Sequence, residues 1–145
     1  MVAGRGGCAI LGVMAALSAD AVELLTARNF AHLATVLADG SPHTVPVWVG
    51  VEGEHVVFFT QPASLKARNL AADPRVALSL VDEANPYRSV TIRGRVDGTV
   101  EGDAALEIID RIAQRYTGQD FPMRSGVVFL IAPEKVKVTE LPFRH

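Results

Sequence analysis

Between Phe30 and Thr60 three β-rich segments follow one another with only tight turns between them, and this spacing constrains the fold more than any other feature. Phe30 to Leu37 is rich in apolar and β-branched residues, Ala38-Asp39-Gly40-Ser41 is a hairpin signal, and His43 to Val51 resumes the strand pattern. Glu52-Gly53-Glu54 turns the chain again into His55 to Thr60. Turns this short join only antiparallel neighbours, because a parallel pair needs a crossover of about a dozen residues. A three-stranded meander is the expectation. Pro46, inside the second segment, cannot donate to a ladder, so that strand must be an edge, carry a bulge or break its pairing there.

The remaining segments extend the same architecture. Ser18 caps a short amphipathic helix over Ala19 to Ala27, and a second helix runs from Ser64 to Ala72, where Asp73-Pro74 stops it. Arg75 to Asp82 reads as a strand, Glu83-Ala84-Asn85-Pro86 as a loop, and Ser89 to Val100 as a further strand. Asp103 to Thr117 is the longest predicted helix, with Ala105, Leu106, Ile109, Ile112 and Ala113 on one face. Val127 to Ala132 and Lys135 to Glu140 close the chain as one or two strands around Pro133. Strands outnumber helices and hairpins outnumber crossovers, so the predicted fold is mainly β, an antiparallel β-barrel with peripheral α-helices.

Composition narrows the class. The 145 residues suit one domain, and 49% hydrophobic against 21% charged residues argues against disorder. A net charge of −2 gives no global pull towards nucleic acid or an anionic membrane, so any anion must be bound locally. Cys8 is the only cysteine, which excludes an intrachain disulfide and predicts a reducing, cytoplasmic setting. No apolar run approaches the ~18 residues of a membrane span. Gly7 to Leu17 imitates a signal peptide, yet Gly12 breaks its apolar run and no cleavage region follows. Residues 1–13 are expected to be a disordered N-terminal extension, with Met14 an alternative start.

The usual catalytic signatures are missing. His32, His43, His55 and His145 have no ligand-like spacing, and there is no Gly-x-Ser-x-Gly elbow, Walker loop or Rossmann glycine fingerprint. His43 reads as a half-buried structural residue and His55 as exposed; neither is chosen as catalytic. Three clusters remain. Thr60-Gln61 ends a strand, Ser64 offers a capping hydroxyl with free N–H groups behind it, and Lys66 and Arg68 add positive charge, as at an anion site; an ordinary capped surface helix explains the same residues. Val45-Pro46-Val47-Trp48 carries the only tryptophan, suited either to cover a flat aromatic ligand or to fill a core or subunit interface. Asn85-Pro86-Tyr87-Arg88 is polar and aromatic, with an arginine that binds or is simply solvated.

Taken in order, these clusters make the chain resemble the pyridoxamine-phosphate-oxidase-like split β-barrel superfamily, and within it the deazaflavin-dependent oxidoreductases that use coenzyme F420. Phe30 to Thr35, Asp39 to His43, Val45 to Trp48, Ser64 to Leu70 with Asp73 to Val76, Asn85 to Arg88 with Ile92 to Val96, and Arg115 to Gly118 carry the resemblance, which covers Ala15 to about Glu140. It implies one split β-barrel cofactor-binding domain over residues 14–145, acting as a homodimer with cofactor sites at the shared interface. By position, Lys66, Ser64 and the backbone after Gln61 would hold the cofactor phosphate, with Thr60 lining the same corner and Arg68 and Asn69 as secondary contacts. Val45, Pro46, Val47 and Trp48 would run along the ring system, and Pro86, Tyr87 and Arg88 would close the pocket from the other subunit. Many flavin-binding relatives place a second cation directly before the lysine; Leu65 stands there in this chain and favours F420 over flavin mononucleotide (FMN). The implied activity is hydride transfer to a small organic acceptor without a catalytic side chain. An FMN-binding protein and a non-enzymatic F420 carrier are the alternatives.

Overall fold

Turn chemistry and alternating burial set the elements in the order the sequence predicts, with one rearrangement that creates the candidate site. The computed structural model describes residues 14–143; the extension expected over residues 1–13, and His145, lie outside that range. Ser18 accepts from the Ala21 N–H at 3.2 Å to start α1 (Ala19–Thr26), and Ser64 does the same for Ala67 at the start of α2 (Leu65–Ala72). The third helix, α3 (Gly102–Thr117), ends at Gly118 in the left-handed conformation, a position that favours glycine. No helix of the described residues is long and apolar enough to cross a membrane.

The strands are β1 (Ala31–Val36), β2 (Pro42–Val47), β3 (Gly50–Glu52), β4 (His55–Thr60), β5 (Arg75–Val81), β6 (Arg88–Val100) and β7 (Val127–Glu140). They form one antiparallel seven-stranded sheet in the order β2-β1-β5-β6-β7-β4-β3. The expected three-stranded meander is corrected here. The segment from His43 to Val51 is two strands, not one: β2 pairs with β1 at one edge of the sheet, β3 pairs with β4 at the other, and only Trp48 and Val49 lie between them. Three residue steps span at most about 11 Å, so the sheet must curl until its two edges are neighbours. The barrel is closed by chain, not by a ladder, which is what makes it split. Pro46 faces His32 in the β1–β2 register, and as β2 is an edge strand its missing N–H costs no ladder bond.

β6 and β7 form the longest ribbon. Register shifts between Arg93 and Gly94 and between Val96 and Gly98 bend it, as barrel closure requires. At the first shift the backbones touch: a Cβ on Gly94 would lie 2.2 Å from the Ala132 carbonyl oxygen. Pro133 is paired with Gly94 at that bend, so the two terminal segments considered on either side of it are one strand.

Alternation sorts the side chains. Val56 and Phe58 of β4 and Val127, Phe129 and Ile131 of β7 point into the barrel, where α1 contributes Leu24 and Leu25 and α2 contributes Leu70. Val57 and Val128 point the other way, beneath Ile109, Ile112 and Tyr116 of α3. β4 and β7 are therefore buried on both faces. Each of these large apolar side chains contributes about 1.5–3 kcal/mol through burial.

Candidate functional site

The link between the sheet edges is pinned by α3. Tyr116 is 5% exposed, and its phenol donates to the Asn29 carbonyl at 2.5 Å and accepts from the Val49 N–H at 3.4 Å. Arg115 donates to the Val49 carbonyl at 2.9 Å and to the Ala27 carbonyl at 3.3 Å. Burial pushes the Tyr116 phenol above its ordinary value, against smaller opposing effects of the Val49 bond and Arg115. Trp48 stacks on Tyr116 with ring centres 5.2 Å apart and planes 7° from parallel, and meets Phe59 and Phe121 edge to face at 6.3 and 6.2 Å. The aromatic-core reading of Trp48 thus accounts for one face and the edges of its indole.

What remains open is a shallow recess of about 220 Å³ lined by Pro46, Val47, Trp48, Phe59, Lys66 and Phe121. Four of these, Pro46, Val47, Trp48 and Lys66, are among the cofactor residues expected from the sequence; Phe59 and Phe121 are not. Beside the recess, β2 is an edge strand, so alternate N–H and C=O groups along it have no ladder partner among the described residues. Lys66 is half-buried, and among the described residues no carboxylate lies within ion-pair distance of it. The N–H groups of Leu65 and Lys66, in the first turn of α2, find no acceptor among the described residues. An ammonium group and free helix N–H groups at one place make an anion site.

The other expected contacts are mostly spent within the chain. Ser64 uses its oxygen to cap α2, leaving its hydroxyl proton to donate. Gln61 donates to the Ser125 carbonyl at 2.9 Å and accepts from the Ser125 hydroxyl at 3.0 Å, which fixes the loop carrying Phe121. Thr60 ends β4 and does not line the recess. Val45 faces the barrel interior, on the same side as Val47, packed against the core. Leu65 is exposed. Arg68 donates to the Ala63 carbonyl at 2.7 Å, bracing the turn before α2. Asn69, expected as a secondary contact, is 6% exposed, and its side chain donates to the Thr35 hydroxyl at 3.0 Å, so it ties α2 to β1.

Within one chain the loop from Pro86 to Arg88 is not part of this recess. Pro86 lines a separate hollow of about 540 Å³ on the outer face of β1, β5 and β6, with Phe30, His32, Val81 and Ser89. Arg88 is not a solvated arginine. It faces Glu23 at 2.7 Å, Asp20 at 3.1 Å, Asp82 at 3.6 Å and Glu140 at 3.7 Å, and the bond to Glu23 is the largest influence raising its pKa. Tyr87 packs against Phe143 with ring centres 5.3 Å apart. His55, expected to be exposed, is half-buried and pairs with Asp97 at 2.9 Å. His43 is half-buried, and its Nδ1 is buried without a partner among the described residues.

The sequence pattern of the family described as pyridoxamine 5'-phosphate oxidase matches residues 17–140. An F420H(2)-dependent biliverdin reductase of Mycobacterium tuberculosis is 34% identical over 131 residues, which is 88% of this chain and 92% of that protein. A pyridoxine/pyridoxamine 5'-phosphate oxidase of Rhodopseudomonas palustris is 37% identical over 125 residues, 81% of this chain, and the match covers 58% of that longer enzyme. Among solved structures, an F420 reductase superposes with a TM-score of 0.69 at 31% identity, covering 79% of this chain and 94% of its own.

Proposed function

The chain belongs to the pyridoxamine 5'-phosphate oxidase family and is an oxidoreductase, and from that premise we propose that it is a coenzyme F420-dependent reductase working as a homodimer. The observation that carries the proposal is Lys66, a cation without a carboxylate partner among the described residues, at the N-terminus of α2 and on the wall of an aromatic recess beside an open strand edge. The residues fit the cofactor. Lys66, the Ser64 hydroxyl and the free N–H groups of Leu65 and Lys66 would take its phosphate, while Pro46, Val47 and Trp48 would flank the ring system. One cation, with Leu65 before it, favours F420 over FMN.

A recess of about 220 Å³ falls below the ~300–1,000 Å³ of ordinary small-molecule sites, so one chain supplies only part of the walls. The outer face of β1, β5 and β6 is suited to supply the rest from a second copy. It exposes Phe30 and Val81, at 59% and 49%, and carries the hollow with Pro86. When reduced and bound, the deazaflavin supplies a hydride as a two-electron donor. The chain would bind it, hold it against the acceptor and keep water out; Lys66, the only titratable group lining the recess among the described residues, is committed to the phosphate in this reading, which leaves no side chain there as a general acid or base. The acceptor would be a small conjugated organic molecule.

Titration of the purified protein with F420 and with FMN tests the cofactor. Micromolar or tighter F420 binding is expected, and Lys66→Ala should weaken it by about 1–3 kcal/mol with the melting temperature kept. Absence of F420 binding with retention of FMN would instead support the flavin reading that the oxidase relatives suggest. Oxidation of reduced F420 is then followed against quinones, unsaturated carbonyl compounds and tetrapyrroles including biliverdin. Binding without turnover of any of them would make the protein a carrier.

A further inference from the structure

Three cations on the outer face of the β6–β7 ribbon stand together, and among the described residues none of them makes an ion pair. Arg93 and Lys135 are directly opposite in the ladder, and Lys137 follows two residues along on the same face, opposite Thr91. Like charges placed opposite each other across antiparallel strands are destabilising. The same face shows the ordinary solution close by: Arg95 pairs with Glu134 at 3.0 Å and Arg75 with Asp73 at 2.7 Å. Among the described residues nothing comparable reaches Arg93, Lys135 or Lys137. In a chain of net charge −2, such a cluster runs against the overall balance.

The cluster also has a shape. Arg93, Lys135 and Lys137 line a hollow of about 680 Å³ with Thr91, Val136 and Glu134, large enough for a small molecule; it shares no residue with the recess at Lys66 and one, Thr91, with the hollow proposed to meet a second copy. We propose that this hollow binds a small polyanion carrying two or more carboxylate or phosphate groups. The guanidinium of Arg93 offers a fork for one anionic group, the ammonium groups of Lys135 and Lys137 take another, and the Thr91 hydroxyl adds a donor. Three charges gathered in one hollow suit a compact ligand; a nucleic acid or membrane surface calls for a longer basic track, which Glu134, paired with Arg95 beside the cluster, interrupts. Binding would relieve the repulsion between Arg93 and Lys135, so affinity should fall steeply with salt.

Citrate and tripolyphosphate, titrated calorimetrically into the intact protein at about 50 mM salt, test the proposal and separate carboxylate from phosphate recognition. Saturable binding is expected for at least one, weakened by about tenfold or more in the Arg93→Gln/Lys135→Gln variant and in Lys137→Gln, and kept in Lys66→Ala. The double variant should melt no lower than the parent without anion, since it loses a repulsion. Lack of saturable binding of both probes up to about 10 mM overturns the proposal. So does parent-like affinity in the double variant and Lys137→Gln, or loss of binding in Lys66→Ala, which would put the anion at the other site.

Discussion

Replacing Tyr116 by Phe keeps the ring stacked on Trp48 and removes one oxygen, so its effect isolates the hydrogen bonds that hold the two sheet edges together. The Asn29 carbonyl loses a 2.5 Å bond in a residue only 2% exposed, and the Val49 N–H loses a 3.4 Å bond in a residue that is fully buried. An unsatisfied buried polar group costs about 1–3 kcal/mol; with the Val49 bond too long to count fully, the sum is about 2–3 kcal/mol. At roughly 3 °C per kcal/mol for a chain of this size, the melting temperature should fall by about 6–9 °C. The assay is built in, because Trp48 is the only tryptophan and lies on the Tyr116 ring, so its fluorescence follows the opening of this region in heat or urea. The native spectrum should stay close to that of the parent. A loss under about 0.5 kcal/mol would refute the reasoning, since it would mean that the phenol does not satisfy these groups.

The same residue predicts a response to alkali. The folded state holds the Tyr116 phenol above its ordinary value of 10.0, so its stabilisation is complete below that pH and is lost as the pH rises through the higher folded value. Parent minus Tyr116→Phe stability, measured by urea unfolding between pH 8 and 11, should shrink with rising pH (a span of about three units around the phenol's range); a constant difference would exclude the linkage. Gly94→Ala drives a Cβ to 2.2 Å from the Ala132 carbonyl and should destabilise by about 1–3 kcal/mol in thermal melts, whereas an unchanged melting temperature would show that the bend relaxes freely. Asn69→Ala should cost about 1–2 kcal/mol of stability through the lost Thr35 bond, and a parent-like denaturation midpoint would contradict that role.

Much of the fold is legible because local signals and burial agree. The serine caps, the glycine turns and the helical stripe of α3 lead to the observed elements within a residue or two. The break after Val47 is not legible in this way. Periodicity runs smoothly from His43 to Val51, and Pro46 draws attention to a place where the ladder is intact; what divides the strand is the tertiary demand that its halves serve opposite edges. Pro133 misleads in the other direction, since a bulge at Gly94 accommodates it inside one strand. At the site, sequence order brings Pro46, Val47, Trp48 and Lys66 together, while Phe59 and Phe121 are hidden among ordinary core candidates. Asn69 and Arg88 have partners that no local signal in the sequence reveals. One is buried against Thr35 and the other is enclosed by four carboxylates from three separate segments of the chain.

The two-residue passage through Trp48 and Val49 also sets an order on folding. The hairpins β1–β2 and β3–β4 are local and can form within microseconds, yet they do not pair with each other. Each must wait for a strand from the far half of the chain, β5 for the first and β7 for the second, with β6 joining the two. Closure of Trp48 against Tyr116 therefore belongs to the last, topology-limited step. Tryptophan fluorescence in a refolding experiment should lag behind the β-sheet signal in circular dichroism, which makes the recess at Lys66 the final part of the molecule to take shape.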